Sequence, residues 1–161
     1  MRVQVGKYGA WAVGLVMMSV VMANEKEMLD AVSEGELGRV QQLITAGVDL
    51  QAATEDGSSA LLLATHSNRI EIARALIDAG ASVNQKNLSQ DSPYLLAGAS
   101  GHNEILQLAL EHGADLKSTN RYGGTALIPA CERGHVETVG LLIAAGVDLN
   151  HVNRLGWTCL L

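Results

Sequence analysis

A step of 33 residues runs through this chain. Gly47, Gly80, Gly113 and Gly146 are each 33 apart, and so are Ser59, Ser92, Thr125 and Thr158. Leu61, Tyr94, Leu127 and Leu160 keep the same step, as do Glu71, Glu104 and Glu137, and Gly101 with Gly134, a column into which Asn68 also falls. Self-similarity at a period of this size means that one supersecondary unit is repeated and that each unit buries its apolar face only against its neighbours. Phe is absent and aromatics make up 3% of the residues. A core of Ala, Leu, Ile and Val suits closely packed helices better than a β-sandwich.

The fourth unit shows how the pattern dictates local structure. Thr125 is placed to cap a helix over Ala126–Arg133, its hydroxyl accepting a free backbone N–H of the first turn. Gly134 breaks that helix and His135 begins the next. Glu137 falls in the first turn of the second helix, where a carboxylate suits the dipole. Val139, Leu142 and Ile143 recur at helical spacing and are expected to face inward. Gly146 is expected to stop the helix in a left-handed conformation, and Val147-Asp148-Leu149-Asn150 leads into an extended hairpin. In the third unit Ser92-Pro93 repeats the start signal, with Pro at the first helical position. Pro129 lies three residues into its helix, where the missing N–H predicts a local adjustment rather than a break.

The stretches Gly123-Gly124-Thr125-Ala126-Leu127, Gly134-His135-Val136-Glu137 and Leu142-Ile143-Ala144-Ala145-Gly146-Val147-Asp148-Leu149-Asn150 match the patterns G-x-T-P-L, G-H-x-E and L-L-x-x-G-A-D-V-N. From about Glu25 to the C-terminus the chain resembles the ankyrin-repeat family. The resemblance implies an all-α repeat solenoid, an ankyrin stack of helix-turn-helix units with β-hairpin loops. Residues 24–53 are then an N-terminal capping repeat, 54–86, 87–119 and 120–152 are full repeats, and 153–161 begin a truncated fifth. The cap lacks the T-P-L start and turns Glu25, Lys26, Glu27, Glu34, Gln41 and Gln42 outward. The His that usually follows T-P-L is replaced by Leu62, Leu95 and Ile128, which exchanges a polar network for packing. The chain stops at Leu160-Leu161 with a repeat start, which reads as a truncated sequence or an end covered by a partner.

The first 23 residues read as an address. Arg2 and Lys7 form a basic stretch, Trp11–Val21 an apolar run, and Val21-Met22-Ala23 places small residues at the −3 and −1 positions of a cut before Asn24. The run is short for a span of roughly 20 apolar residues. A secretory signal peptide, a periplasmic or secreted mature protein and no stable membrane insertion after cleavage are expected.

The net charge of −6 includes both basic residues of that leader, so the remainder is more acidic still and ill suited to a phosphate backbone. No nucleic-acid partner is expected. Neither a Walker motif, nor G-x-G-x-x-G, nor G-x-S-x-G occurs. Cys131 and His135 are spaced like two ligands of one helix, but Gly134 interrupts them and further ligands are lacking. The resemblance gives His102 and His135 the family's role of tying inter-helix turns to a neighbouring repeat. No catalytic residue, cofactor or metal is expected. Cys131 and Cys159 fall at non-equivalent positions of adjacent repeats, which argues for two free thiols, one of them buried, rather than a disulfide. Asn87-Leu88-Ser89 is a glycosylation sequon by pattern; the resemblance to bacterial exported ankyrin proteins implies a bacterial origin, so a chance match is expected.

The informative residues are those that the repeat does not dictate. The hairpin tips and exposed sides of the first helices line a concave surface in ankyrin stacks. Arg121, Tyr122, Arg133, Arg154 and Trp157 gather there in the last two units, with Leu88 and Asp56 at earlier tips. Arg, Tyr and Trp are the types most enriched in binding hot spots. The resemblance implies a protein-interaction scaffold that binds an exported partner as adaptor, chaperone or inhibitor. An effector aimed at a host target is the alternative, with an enzyme or metal protein behind both. No motif names the partner, because specificity in such a fold lies in surface detail.

Overall fold

The computed structural model describes the backbone of residues 9–160 and the burial of side chains from Val21 onward. The leader residues Arg2 and Lys7, and Leu161, lie outside the described residues. Among the described residues eight helices follow one another: α1 (Gly9–Glu34), α2 (Leu37–Thr45), α3 (Ala60–His66), α4 (Ile70–Asp78), α5 (Pro93–Ser100), α6 (Asn103–Glu111), α7 (Leu127–Glu132) and α8 (Val136–Ala144). They pair as α1 with α2, α3 with α4, α5 with α6 and α7 with α8. The pairs stack in chain order, α1, α3, α5 and α7 forming one layer and α2, α4, α6 and α8 the other. Among the described residues no strand forms, and the loops hold one isolated bridge, Ala53 with Ser59. The chain is therefore an all-helical solenoid whose hairpins are turns stacked on turns. A single apolar cluster runs from Met28 to Val147.

Three local devices repeat with the period. The Ser59 hydroxyl accepts from the Leu62 N–H at 3.2 Å, and Ser92 does the same for Leu95 at 3.3 Å, fixing the starts of α3 and α5. The turns between paired helices place Gly35, Asn68, Gly101 and Gly134 at φ of 83°, 48°, 72° and 72°. This left-handed position costs Asn less than most residues. At the hairpin tips, the side-chain oxygens of Asn87, Asn120 and Asn153 accept loop N–H groups. Asn120 takes those of Tyr122 and Gly124, Asn153 those of Leu155 and Trp157.

Thr125 departs from its expected role. α7 begins one residue later than its counterparts, no side chain caps it, and the buried Thr125 hydroxyl has no hydrogen-bond partner among the described residues. Pro129 is the cause. Leu63 and Leu96 occupy its position in α3 and α5, and their N–H groups close the first turn on the carbonyls of Ser59 and Ser92. Proline has no N–H to give, so the turn at Thr125 stays unclosed. The helix survives, as a local adjustment required.

Ile143 is a second correction. It is 46% exposed, whereas its equivalent Ile77, on α4 beneath α6, is 3% exposed. Among the described residues no helix lies over that face of α8. Leu142 is fully buried and Val139 packs at the edge of the core.

The third correction concerns the cysteines. Cys131 and Cys159 form a disulfide, with Cα atoms 5.3 Å apart. Equivalent positions sit a full repeat apart along the stack. The positions that touch across a junction are non-equivalent ones, here 28 residues apart, so the inequality taken as evidence against a bridge is what permits it.

Candidate functional site

α5 and α7 lie side by side with their hairpin tips projecting beyond them, and a groove of about 500 Å³ opens between. Its floor is apolar: Leu95, Leu96 and Ala99 come from α5, and Ile128 and Pro129 from α7. Leu95 and Ile128 are the residues that replace the usual polar side chain after the repeat start, and both are buried. The departure from the family pattern therefore makes part of the groove floor greasy. Asp91 from one hairpin tip, Arg121 and Tyr122 from the next, and Leu155 and Trp157 from the last also line it, together with Glu132 and Arg133.

Of the residues singled out in the sequence, the groove gathers Arg121, Tyr122, Arg133 and Trp157. Tyr122 and Trp157 are each about half exposed. The Arg121 guanidinium sits 5.2 Å from the centre of the Tyr122 ring, a cation–π pairing that holds both at the rim. Arg133 reaches across the junction, its Nη1 donating to the Ala99 carbonyl at 2.5 Å. Neither guanidinium forms an ion pair among the described residues. The groove thus presents two aromatic faces and two guanidinium groups without an ion pair among the described residues, in a lining that also holds Asp91 and Glu132.

The other three singled-out residues lie elsewhere. Arg154 Nη1 donates to the Arg121 carbonyl at 3.1 Å and its Cγ lies over Gly123, so the side chain braces one loop on the next. Leu88 is exposed at an earlier tip, and its N–H donates to the Asp56 carbonyl at 2.9 Å. The Asp56 carboxylate accepts from the hydroxyls of Thr54 and Ser58, which hold its pKa below the ordinary carboxylate value. It is the brace of a turn, outside the groove. Floor residues Leu96 and Pro129 and the rim residue Leu155 complete the site. The signal for Leu96 and Pro129 was available in the period, since positions 63, 96 and 129 form one column.

The histidines take the junction role. The column Arg69, His102, His135 packs on the preceding inter-helix turn: a Cβ at Gly101 would lie 2.9 Å from the His135 ring, and one at Gly35 would strike the Arg69 guanidinium. Burial lowers the pKa of His102, and the nearby His135 and His66 lower it further. Among the described residues no cluster of three or more His, Cys, Asp or Glu could hold a metal ion. No helix among them is long and apolar enough to cross a membrane.

The model of the family described as ankyrin repeats (3 copies) matches residues 28–120 and 94–161. An ankyrin repeat domain from Acinetobacter baumannii AYE is 56% identical, with a TM-score of 0.81, over 83% of this chain and 68% of that one. The ankyrin repeat protein EF0377 is 42% identical, with a TM-score of 0.80, over 83% of this chain and 69% of that one. No protein of curated function matches.

Proposed function

Because the chain belongs to the ankyrin-repeat family, we propose that it is a protein-interaction scaffold of the bacterial periplasm that binds an exported partner in the groove between α5 and α7. The observation that carries this reading is the half-exposed pair Tyr122 and Trp157, set with Arg121 and Arg133 around an apolar floor. A surface already formed loses little conformational entropy on binding. Aromatic and Arg anchors around a desolvated floor concentrate binding energy at few residues. Adaptor, chaperone or inhibitor work requires no more of the chain than this.

Two observations support export. Next to the cut expected before Asn24, Val21 and Met22 are more than half exposed, and among the described side chains burial on α1 begins at Met28. Removal before Asn24 leaves α1 its packed portion, residues 24–34. The Cys131–Cys159 bridge fits an oxidising compartment, since such bonds are rare in the cytosol.

The test is capture from a periplasmic extract with the wild-type protein and the Arg121→Ala/Tyr122→Ala double variant. The wild type should retain a stable partner that the variant, folded by circular dichroism, does not. Unfolding of the variant, or capture of the same partner by it, removes the groove from consideration. Mass spectrometry of the mature protein should find Asn24 at its N-terminus; an intact leader refutes the export reading.

A further inference from the structure

We propose that the Cys131–Cys159 disulfide is a redox-operated latch on one wall of the groove, so that the site is assembled when the pair is oxidised and opens when it is reduced. This rests on the reading of the groove as a binding surface and names how that surface is regulated.

The wall in question is the segment 151–160, which carries Asn153, Leu155 and Trp157 into the groove. No helix forms in it among the described residues, and it buries little. Leu155 is 58% exposed and Leu160 81%, and Asn153 is the one member below a tenth exposed. Apart from the bridge, three hydrogen bonds among the described residues tie it to the preceding tip. The Arg154 N–H donates to the Tyr122 carbonyl at 2.9 Å, His151 Nε2 to the Gly123 carbonyl at 2.6 Å, and Arg154 Nη1 to the Arg121 carbonyl at 3.1 Å. All three end on the tip that carries Arg121 and Tyr122. Ordering a segment costs backbone and side-chain entropy at every residue, and among the described residues little apolar burial offsets it. The disulfide offsets part of that cost by holding Cys159 against α7 throughout. α3 to α6 lie outside the closed loop and keep their own core.

The chemistry is thiol–disulfide exchange with a dithiol, either a small-molecule dithiol or a protein of the dithiol oxidoreductase class. One thiolate of the reductant attacks a sulfur of the Cys131–Cys159 bond, forming a mixed disulfide and releasing the other cysteine as a thiolate that takes up a proton. The second thiol of the reductant then displaces the remaining cysteine. The chain gains two electrons and two protons, and the reductant leaves as its own disulfide. Both cysteines are half-buried, so the bond is within reach of a small thiolate.

The experiment is amide hydrogen exchange on the mature protein before and after dithiothreitol, with reduction verified by titration of two thiols, and on Cys131→Ala/Cys159→Ala. Exchange at Arg154 and Gly156 should accelerate at least tenfold in both reduced and variant protein, while α3–α6 change less than twofold. In parallel, a phage-displayed peptide selected on the oxidised protein, and dependent on Arg121 and Tyr122, should bind at least tenfold more weakly after reduction. Unchanged exchange at Arg154 overturns the latch. Loss of protection in α3–α6 overturns it too, by making the bridge a staple of the whole stack. Faster exchange with unaltered peptide affinity shows that the segment opens without controlling the site. If no such peptide binds even the oxidised protein, the groove reading fails, and the exchange data still decide whether the latch exists.

Discussion

A Cβ placed on Gly98 would lie 2.8 Å from the Cβ of Ala126. These two positions are 28 residues apart, and one repeat later the same two positions are Cys131 and Cys159, joined by a disulfide. α5 and α7 therefore touch at a point where two methyl groups do not fit. Gly98→Ala should be neutral or lose up to about 2 kcal/mol, because overpacking of about 1–3 kcal/mol is set against the gain of about 1 kcal/mol from replacing a helical glycine. Gly140→Ala, in α8 with nothing within 4 Å, should instead gain about 0.5–1 kcal/mol. Urea unfolding of the two variants decides it; equal effects would show that the junction at Gly98 is looser than described.

Caps should be worth different amounts in different repeats. Ser59→Ala and Ser92→Ala each remove a bond to a first-turn N–H and should cost about 1 kcal/mol. Thr125→Val removes a hydroxyl without a partner among the described residues and should stay within about 0.5 kcal/mol of wild type. In a Pro129→Leu background the first turn can close, and Thr125→Val should then carry the full cost of a lost cap. A cost equal to that of Ser59→Ala in the proline-bearing chain would sink this account.

Tyr94 is the largest fully buried side chain, and its hydroxyl has no partner among the described residues. Burial raises its pKa, helped by the charge of Asp115. Tyr94→Phe should leave stability unchanged or improve it by up to about 1 kcal/mol, since an unsatisfied buried hydroxyl is removed. Thermal melting checks this. A loss beyond about 1 kcal/mol would mean that the phenol is bonded in solution.

His102 sets a pH dependence. Its pKa in the fold lies below its ordinary value, chiefly through burial, with His135 and His66 adding repulsion. The unfolded chain then binds more protons than the folded one as pH drops. This contribution is fully present above about pH 6.5 and is lost as pH falls below it. His102→Gln should flatten the fall in midpoint between pH 7.5 and 5 relative to wild type. Parallel curves for the two proteins would assign the effect to other groups.

The period of 33 made the stack legible in outline, because each column answers to one physical demand. The capping column Ser59, Ser92 reads directly as helix starts, and the left-handed column Gly101, Gly134 reads as turns. What stayed hidden was how columns meet across junctions. Comparing equivalent positions separated Cys131 from Cys159 and concealed their contact, which depends on the offset between successive units. The groove was legible in Arg121, Tyr122 and Trp157, whose types are unusual at unconstrained positions. Arg154 shares a column with Arg121, but its long side chain turns back onto the preceding loop. Thr125 looked like a cap because the signal is local, whereas its failure comes from a residue one turn on, Pro129.

The principal contacts of each helix pair lie within it and with the pairs on either side. Information in such an architecture passes hand to hand. A ligand seated between α5 and α7 stiffens the units it touches, and α1 and α2 learn of it only through α3 and α4. On the proposed reading of the groove, substitutions in the acidic, polar first unit would leave recognition untouched as long as α3 and α4 keep their packing.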